Sequence, residues 1–144
     1  MRLVTTNLTI DEVKPKIKEL VDALYMKVPA GVGCKGFVKV SKEEFKELSE
    51  EGASWCLKKG MATEHDIEHI EDHGRIDGAD ASKVSDKAIK RGFDQIGTLG
   101  SGNHYLEIQE VREGNVFDKE AAKAFGITGP GQIVIMVHCG SRGF

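Results

Sequence analysis

Two histidines stand beside glycine-rich segments. The stretch "GTLGSGNHYLE", residues 97–107, sets Gly97, Gly100 and Gly102 ahead of Asn103, His104, Tyr105, Leu106 and Glu107, and "VHCGSRGF", residues 137–144, sets His138 ahead of Gly140, Arg142 and Gly143. Glycine lets backbone N–H groups come close to an anion, and neutral imidazole is the commonest protein ligand for a borderline divalent metal. Each histidine alone also fits a hydrogen-bonded structural residue at a strand end. Two loops of the same design raise the weight of a site in which a metal sits beside a phosphate.

Other motifs are weaker. Gly31, Gly33 and Gly36 in "GVGCKG" have the G-x-G-x-x-G spacing of a pyrophosphate cradle, but that cradle needs a strand before it and a helix N-terminus after it. Here a helix pattern precedes and "FVKV" follows, so a plain turn is expected. "HDIEH", residues 65–69, matches the H-x-x-E-H zinc pattern with His65, Glu68 and His69, and His73 follows one turn later. Acidic neighbours and only Ile67 and Ile70 as apolar support make a solvated helix the stronger expectation; a zinc hydrolase remains a third functional reading. A residue eight positions on drifts about 80° around a helix, so His73 does not converge with His65. Lys83, Lys87, Lys90 and Arg91 have helical spacing and read as a solvated basic face. Strand alternation sends Cys139 away from whatever His138 faces.

The elements that must position the two histidine loops are strands and short helices. "RLVTTNL" reads as a strand, and Thr9 as the N-cap of a helix with Ile10, Val13, Ile17, Leu20, Val21 and Leu24 on one face and Pro15 in its first turns. Ser41 and Glu44 form a capping-box pattern for a second helix, which Gly52 divides and Gly60 ends. A short polar helix starts at Thr63, and an amphipathic one follows "DGADASKVS". "HYLEIQEV" alternates like a strand, "FDKEAAKAF" reads as a helix, and "GQIVIMVHCG" as a strand buried on both faces. "FVKV" is a further candidate strand, and Phe37, Trp55 and Phe93 are candidate core. The fold class is mixed α/β, a mixed sheet with several short helices.

The 144 residues are 40% hydrophobic, which suffices for one ordinary globular unit. Twenty basic and 23 acidic residues give a net charge of -3, so any contact with RNA or phosphate must be local. No apolar run approaches the roughly 18 residues of a membrane span and no signal peptide is evident, so a cytoplasmic protein without membrane partners is expected. Three cysteines without C-x-x-C spacing fit reduced thiols. The chain stops inside a glycine-rich turn, which suggests an excised piece.

"GTLGSGNHYLEIQ", "VHCGSRGF", "GRIDGADASKVSDKAIKRG" and "RLVTTNLTIDEVKPKIKELVDALYMKVPAGVGCKG" together resemble the RtcB-type tRNA-splicing ligases, the 3'-phosphate/5'-hydroxyl RNA ligases, over essentially the whole chain. The resemblance implies residues 1–144 as a single fragment of an RNA ligase catalytic domain. It implies an enzyme that uses GTP and two Mn²⁺ ions to guanylylate a histidine, transfers GMP to an RNA 3'-phosphate and joins that end to a 5'-hydroxyl. His104 then resembles a ligand of one manganese and His138 of the other. Asn103, His104, Tyr105, Leu106 and Glu107 resemble the guanylate-site segment: Asn103 donating to a phosphate oxygen, Tyr105 near the base, Glu107 accepting from guanine N–H groups. Arg142 resembles a phosphate or RNA contact. Expected partners are RNA such as tRNA halves, GTP, the remainder of the ligase chain and an archease-type activator. The family's Asp-x-x-Cys motif and guanylylated histidine have no counterpart in these 144 residues, so the fragment is expected to be inactive alone, with no catalytic residue of its own. The alternative is a noncatalytic binding or scaffold module derived from the ligase.

Overall fold

The apolar run Gln132–His138 forms β3, the middle strand of a three-stranded antiparallel sheet ordered β1-β3-β2, with β1 spanning Arg2–Thr9 and β2 Tyr105–Glu110. The computed structural model describes residues 1–31 and 33–140, as two compact units: residues 1–31, 33–35 and 97–140, and residues 36–96. The described residues also form seven α-helices: α1 (Ile10–Val13), α2 (Ile17–Lys27) and α7 (Lys119–Ala124) in the first unit, and α3 (Lys42–Glu51), α4 (Ala53–Lys58), α5 (Glu64–Glu68) and α6 (Asp86–Phe93) in the second. The expected mixed α/β class is the one observed.

In the first unit, β1 pairs with β3 from Arg2↔Val137 to Thr5↔Val134, and then its register shifts before Thr9↔Gln132. Gln132 holds that irregular end together. Its side chain is buried, yet all its hydrogen-bonding groups are used. The Nε2 amide donates to the carbonyls of Thr6 (2.9 Å) and Gly126 (3.1 Å), and Oε1 accepts from the Thr128 N–H (2.7 Å). Its backbone carbonyl accepts from Val111 N–H at 2.9 Å, while the adjacent Gly131 carbonyl accepts from Ile10 N–H at 2.8 Å. Gln132 therefore ties β1, the residue that follows β2 and the turn after α7, and its neighbour Gly131 adds the start of α1. That turn is a Schellman close: Gly126 takes φ +77°, and Ile127 N–H donates to Ala122 at 2.8 Å.

The expected first helix is interrupted. Thr9 and Glu12 form the capping box of α1, but the segment Lys14–Lys16, carrying Pro15, tightens into a 3₁₀ turn before α2 begins. The turn shifts the helical face: Val13 is buried, whereas Ile17 and Val21, expected beside it, are exposed. Burial of β3 is also uneven. Ile133 and Val134 are buried near α1, which packs on β3, and the strand is only half-buried from Ile135 to His138.

The second unit has a small core of Phe45, Trp55 and Ala81, with the Phe93 ring tilted against Phe45 at 56° and 5.7 Å between ring centroids. Ser41 and Glu44 make the expected reciprocal capping box on α3. A hydrogen bond from the Lys59 ammonium, followed by one from the Ser41 backbone, holds the Glu44 carboxyl below its ordinary value. The box is therefore complete above the usual carboxylate range and is lost as pH falls through the depressed value. Gly60 closes α4 with φ +69°, as its position implies. Burial pushes the Cys56 thiol up, and Cys34, Cys56 and Cys139 are all free thiols.

Gly52 divides α3 from α4, as expected, for a reason the sequence does not show. Its φ of +59° and ψ of −135° suit only glycine, and a Cβ there would overlap the carbonyl oxygen of Gly74. Gly74 itself faces Ala53 just as closely. Two expectations fail in this unit. "FVKV" forms no strand and Phe37 is 69% exposed, because a short β-prone run becomes a strand only where another strand pairs with it. Lys83 is not on the helix of Lys87, Lys90 and Arg91: it ends a 3₁₀ turn, Ala81–Lys83, and Ser85 then caps α6.

Replacing Gln132 by Leu leaves the Thr128 N–H and two carbonyls unpaired, and the expected loss is about 1–3 kcal/mol. Gly52→Ala is expected to cost about 1–3 kcal/mol from backbone strain, with the overlap at Gly74 added. Urea unfolding of each variant measures both; a Gln132→Leu chain as stable as the parent would show that the buried amide is not holding the sheet end.

Candidate metal and nucleotide site

The site is built at the ends of β2 and β3. Their antiparallel register sets Tyr105 directly opposite His138, Leu106 opposite Val137 and Glu107 opposite Met136. Directly opposed residues share a face of the sheet, so Tyr105, Glu107 and His138 lie on one side and Leu106 on the other. The Tyr105 ring meets the His138 ring edge-on, 5.4 Å between centroids at 77°. Its hydroxyl points to the sulfurs of Met1 (3.2 Å) and Met136 (3.4 Å).

His104 reaches the same place by a different route. Strict alternation would turn it away from Tyr105, but β2 begins only at Tyr105, and Asn103 and His104 belong to the loop before it. Freed from the pleat, the His104 ring lies 5.7 Å from that of His138, centroid to centroid. The histidines singled out from the sequence are thus brought together, while Cys139 is exposed beyond the end of β3.

The glycine loop answers to that imidazole. Gly100 has φ +94°, and a Cβ there would overlap His104 Nδ1. Gly100 is held in turn by the first glycine segment: Gly31 N–H donates to its carbonyl at 2.7 Å, Leu99 N–H donates to Pro29 at 2.9 Å, and Ala30 and Gly100 form an isolated parallel bridge. This gives "PAG", at the end of α2, a structural task. No helix N-terminus follows Gly31 or Gly33, and the plain turn expected there is what forms.

Burial makes His104 the chemically distinctive residue. Its Nδ1 is enclosed and has no hydrogen-bond partner among the described residues. A buried, unpaired ring nitrogen is costly unless something coordinates or bonds it. Its place beside a second imidazole fits a metal ligand. Asn103 and Glu107 are exposed on the approach to this pair, and Glu107 accepts from the Gln109 amide at 2.7 Å. Leu106 presents its side chain to the opposite face, so it does not join them there. Arg142 lies outside the described residues.

The tRNA-splicing ligase RtcB family model matches residues 1–144. The chain belongs to the RtcB family. It is 51% identical to the tRNA-splicing ligase RtcB of Methanococcus maripaludis over 143 residues, covering 99% of this chain and 29% of that protein. It is also 51% identical to the one from Pyrobaculum aerophilum over 144 residues, with 100% and 29% covered. The RNA-splicing ligase RtcB homolog 1 of Entamoeba histolytica is 50% identical over 143 residues, covering 99% of this chain and 27% of that protein. The chain thus spans under a third of these relatives' length. No helix among the described residues is long and apolar enough to cross a membrane.

The crowding at Gly100 separates from ordinary backbone strain by comparison with Gly114, whose φ of +86° is similar but whose Cβ would meet nothing within 4 Å. Gly100→Ala is expected to move the His104 and His138 ring signals in NMR spectra and to destabilise the chain more than Gly114→Ala. Equal effects of the two changes would remove the packing argument.

Proposed function

We infer that this RtcB-family chain is part of a GTP- and Mn²⁺-dependent RNA ligase. The reaction joins RNA ends carrying a 2',3'-cyclic phosphate or 3'-phosphate to 5'-hydroxyl ends, in tRNA splicing or RNA repair in the cytoplasm. The observation that carries this reading is the enclosed, unpartnered Nδ1 of His104 beside His138, in a chain whose relatives are named as ligases over this same segment.

His104 and His138 would each hold one of two Mn²⁺ ions, which supply positive charge against phosphate oxygens. The chain's own part is positional. Gly100 keeps a side chain away from the imidazole, and the β2–β3 register fixes His138 against the Tyr105 ring. Asn103 would donate its amide to a guanylate phosphate, and Glu107, which accepts from Gln109 in the structure, would accept from guanine N–H groups instead. Leu106 belongs to this segment through its backbone, and Arg142 is assigned to a phosphate or RNA contact. The remaining metal ligands and the guanylylated histidine belong to the remainder of the ligase chain, which with RNA, GTP and an archease-type activator completes the partners.

Two histidines supply fewer protein ligands than the three or more usual in a catalytic site. Titration calorimetry of the 144-residue chain is therefore expected to show weak or no Mn²⁺ binding, with any signal lost in His104→Ala. Tight binding that survives that change would defeat the assignment. The same chain is expected to join no RNA ends unaided, and ligation of a 2',3'-cyclic phosphate end to a 5'-hydroxyl end by it would contradict the division of labour.

A further inference from the structure

The segment Thr63–Gly74, in the second unit, carries three of the five histidines of the chain. On α5 and its C-cap residue, His65, Glu68 and His69 each offer one ligand atom, and these atoms lie within 4.8 Å of one another. The spacing i, i+3, i+4 puts all three on one face of a single turn. The two imidazole rings lie 4.1 Å apart, centroid to centroid, at 47°.

We propose that His65, Glu68 and His69 form a second metal site, taking a borderline divalent transition ion of the zinc class in place of manganese. A second observation supports the geometry. The His69 Nδ1 lies 2.7 Å from the His65 carbonyl oxygen, so Nδ1–H donates and Nε2 is the nitrogen left with a lone pair. Metal-ligating histidines characteristically hold their other ring nitrogen in such a bond, to a carbonyl or carboxylate. The backbone of the turn is fixed independently: Thr63 and Asp66 form a reciprocal capping box, with Asp66 Oδ2 accepting from Thr63 N–H at 2.9 Å and from its hydroxyl at 2.8 Å. That bond keeps Asp66 at the cap and leaves Glu68 as the carboxylate of the group.

His73 is excluded by the backbone. The turn Glu71–Gly74 carries Asp72 and His73 at φ +51° and +52°, which ends any helical continuation of the His65–His69 face. The group is thus the three residues of the H-x-x-E-H pattern, without His73. All three side chains are exposed, so water fills the remaining positions and small side-chain rotations close the ligand atoms to coordinating distance. Imidazole ligands favour zinc, copper and nickel, and manganese stands lowest in the divalent affinity order. The two histidine pairs of the chain therefore differ in setting: one enclosed by glycine backbone, the other open and chelating.

The test is a Zn²⁺ titration of the 144-residue chain followed by site-resolved NMR of the histidine rings, repeated with Mn²⁺. The His65 and His69 signals are expected to move together with Zn²⁺ and saturate, while those of His73 stay in place. His65→Ala is expected to weaken the response of His69 by at least the roughly tenfold that loss of a supporting partner costs a metal site, and Glu68→Gln to weaken it less. Because these residues are exposed, the unchanged core signals of each variant report that it is folded. A His69 response unaltered by His65→Ala, a joint response of His73, a manganese response at lower concentration than zinc, or no response of His65 and His69 at millimolar zinc would each overturn the proposal.

Discussion

The pairing of Tyr105 with His138 across β2 and β3 is the constraint on which the site depends. An antiparallel ladder fixes which residues face each other, and a slip of one residue would send His138 to the opposite side of the sheet from Tyr105 and Glu107. Gln132 guards that register from the far end of β3. Its buried amide bonds to three backbone groups from β1 and the turn after α7, and each would be left unpaired if the strand moved. A polar residue at the start of an apolar strand is thus a register lock, with the histidine at the other end as its beneficiary.

The loop that carries His104 obeys a different rule. It must leave the strand pattern so that a residue adjacent to Tyr105 can still reach His138, and it must bring backbone against an imidazole without a side chain in between. Gly100 satisfies the second demand, and the hydrogen bonds from Gly31 and Leu99 satisfy the first by holding the loop from outside. Two glycine segments that look like separate phosphate cradles in the sequence become one clamp, in which the first supports the second.

The legible parts of the sequence are those governed by short-range physics. The strands around Leu106 and Val134, the capping of α1, α3 and α5, the break at Gly52 and the stop at Gly60 all follow from alternation, caps and glycine stereochemistry within a few residues. What could not be read depends on partners far along the chain. "FVKV" has strand propensity but no neighbour to pair with, and Phe37 has none to cover it. Gly52 marks a break, yet only the approach of Gly74 explains why no side chain fits. The bonds of Gln132 reach residues 126 positions away, and nothing in "GQIVIMV" signals them. Of the candidate site, the meeting of His104 and His138 followed from their place at two strand ends. The separation of Leu106 from Tyr105 and Glu107 follows from strand alternation alone, whereas which of them faces His138 needed the register.

Histidine appears in this chain in two physical settings, and the difference between them is a difference in how the cost of order is met. His104 is desolvated at Nδ1 and held by rigid backbone, so its ring is positioned in advance and any ligand it accepts is selected by the walls around it. His65 and His69 remain in water on one helical turn, where position comes from the pitch of the helix and the Thr63 cap, and selectivity comes from the chemistry of imidazole itself. An enclosed ring suits a centre that must place an ion against a phosphate, because the low-polarity surroundings strengthen each charge interaction there. An open pair has no such walls. It gains its second ligand at little further entropic cost once the first is engaged, since the helix has already fixed both backbones, and that chelate advantage is the only one its exposure leaves it.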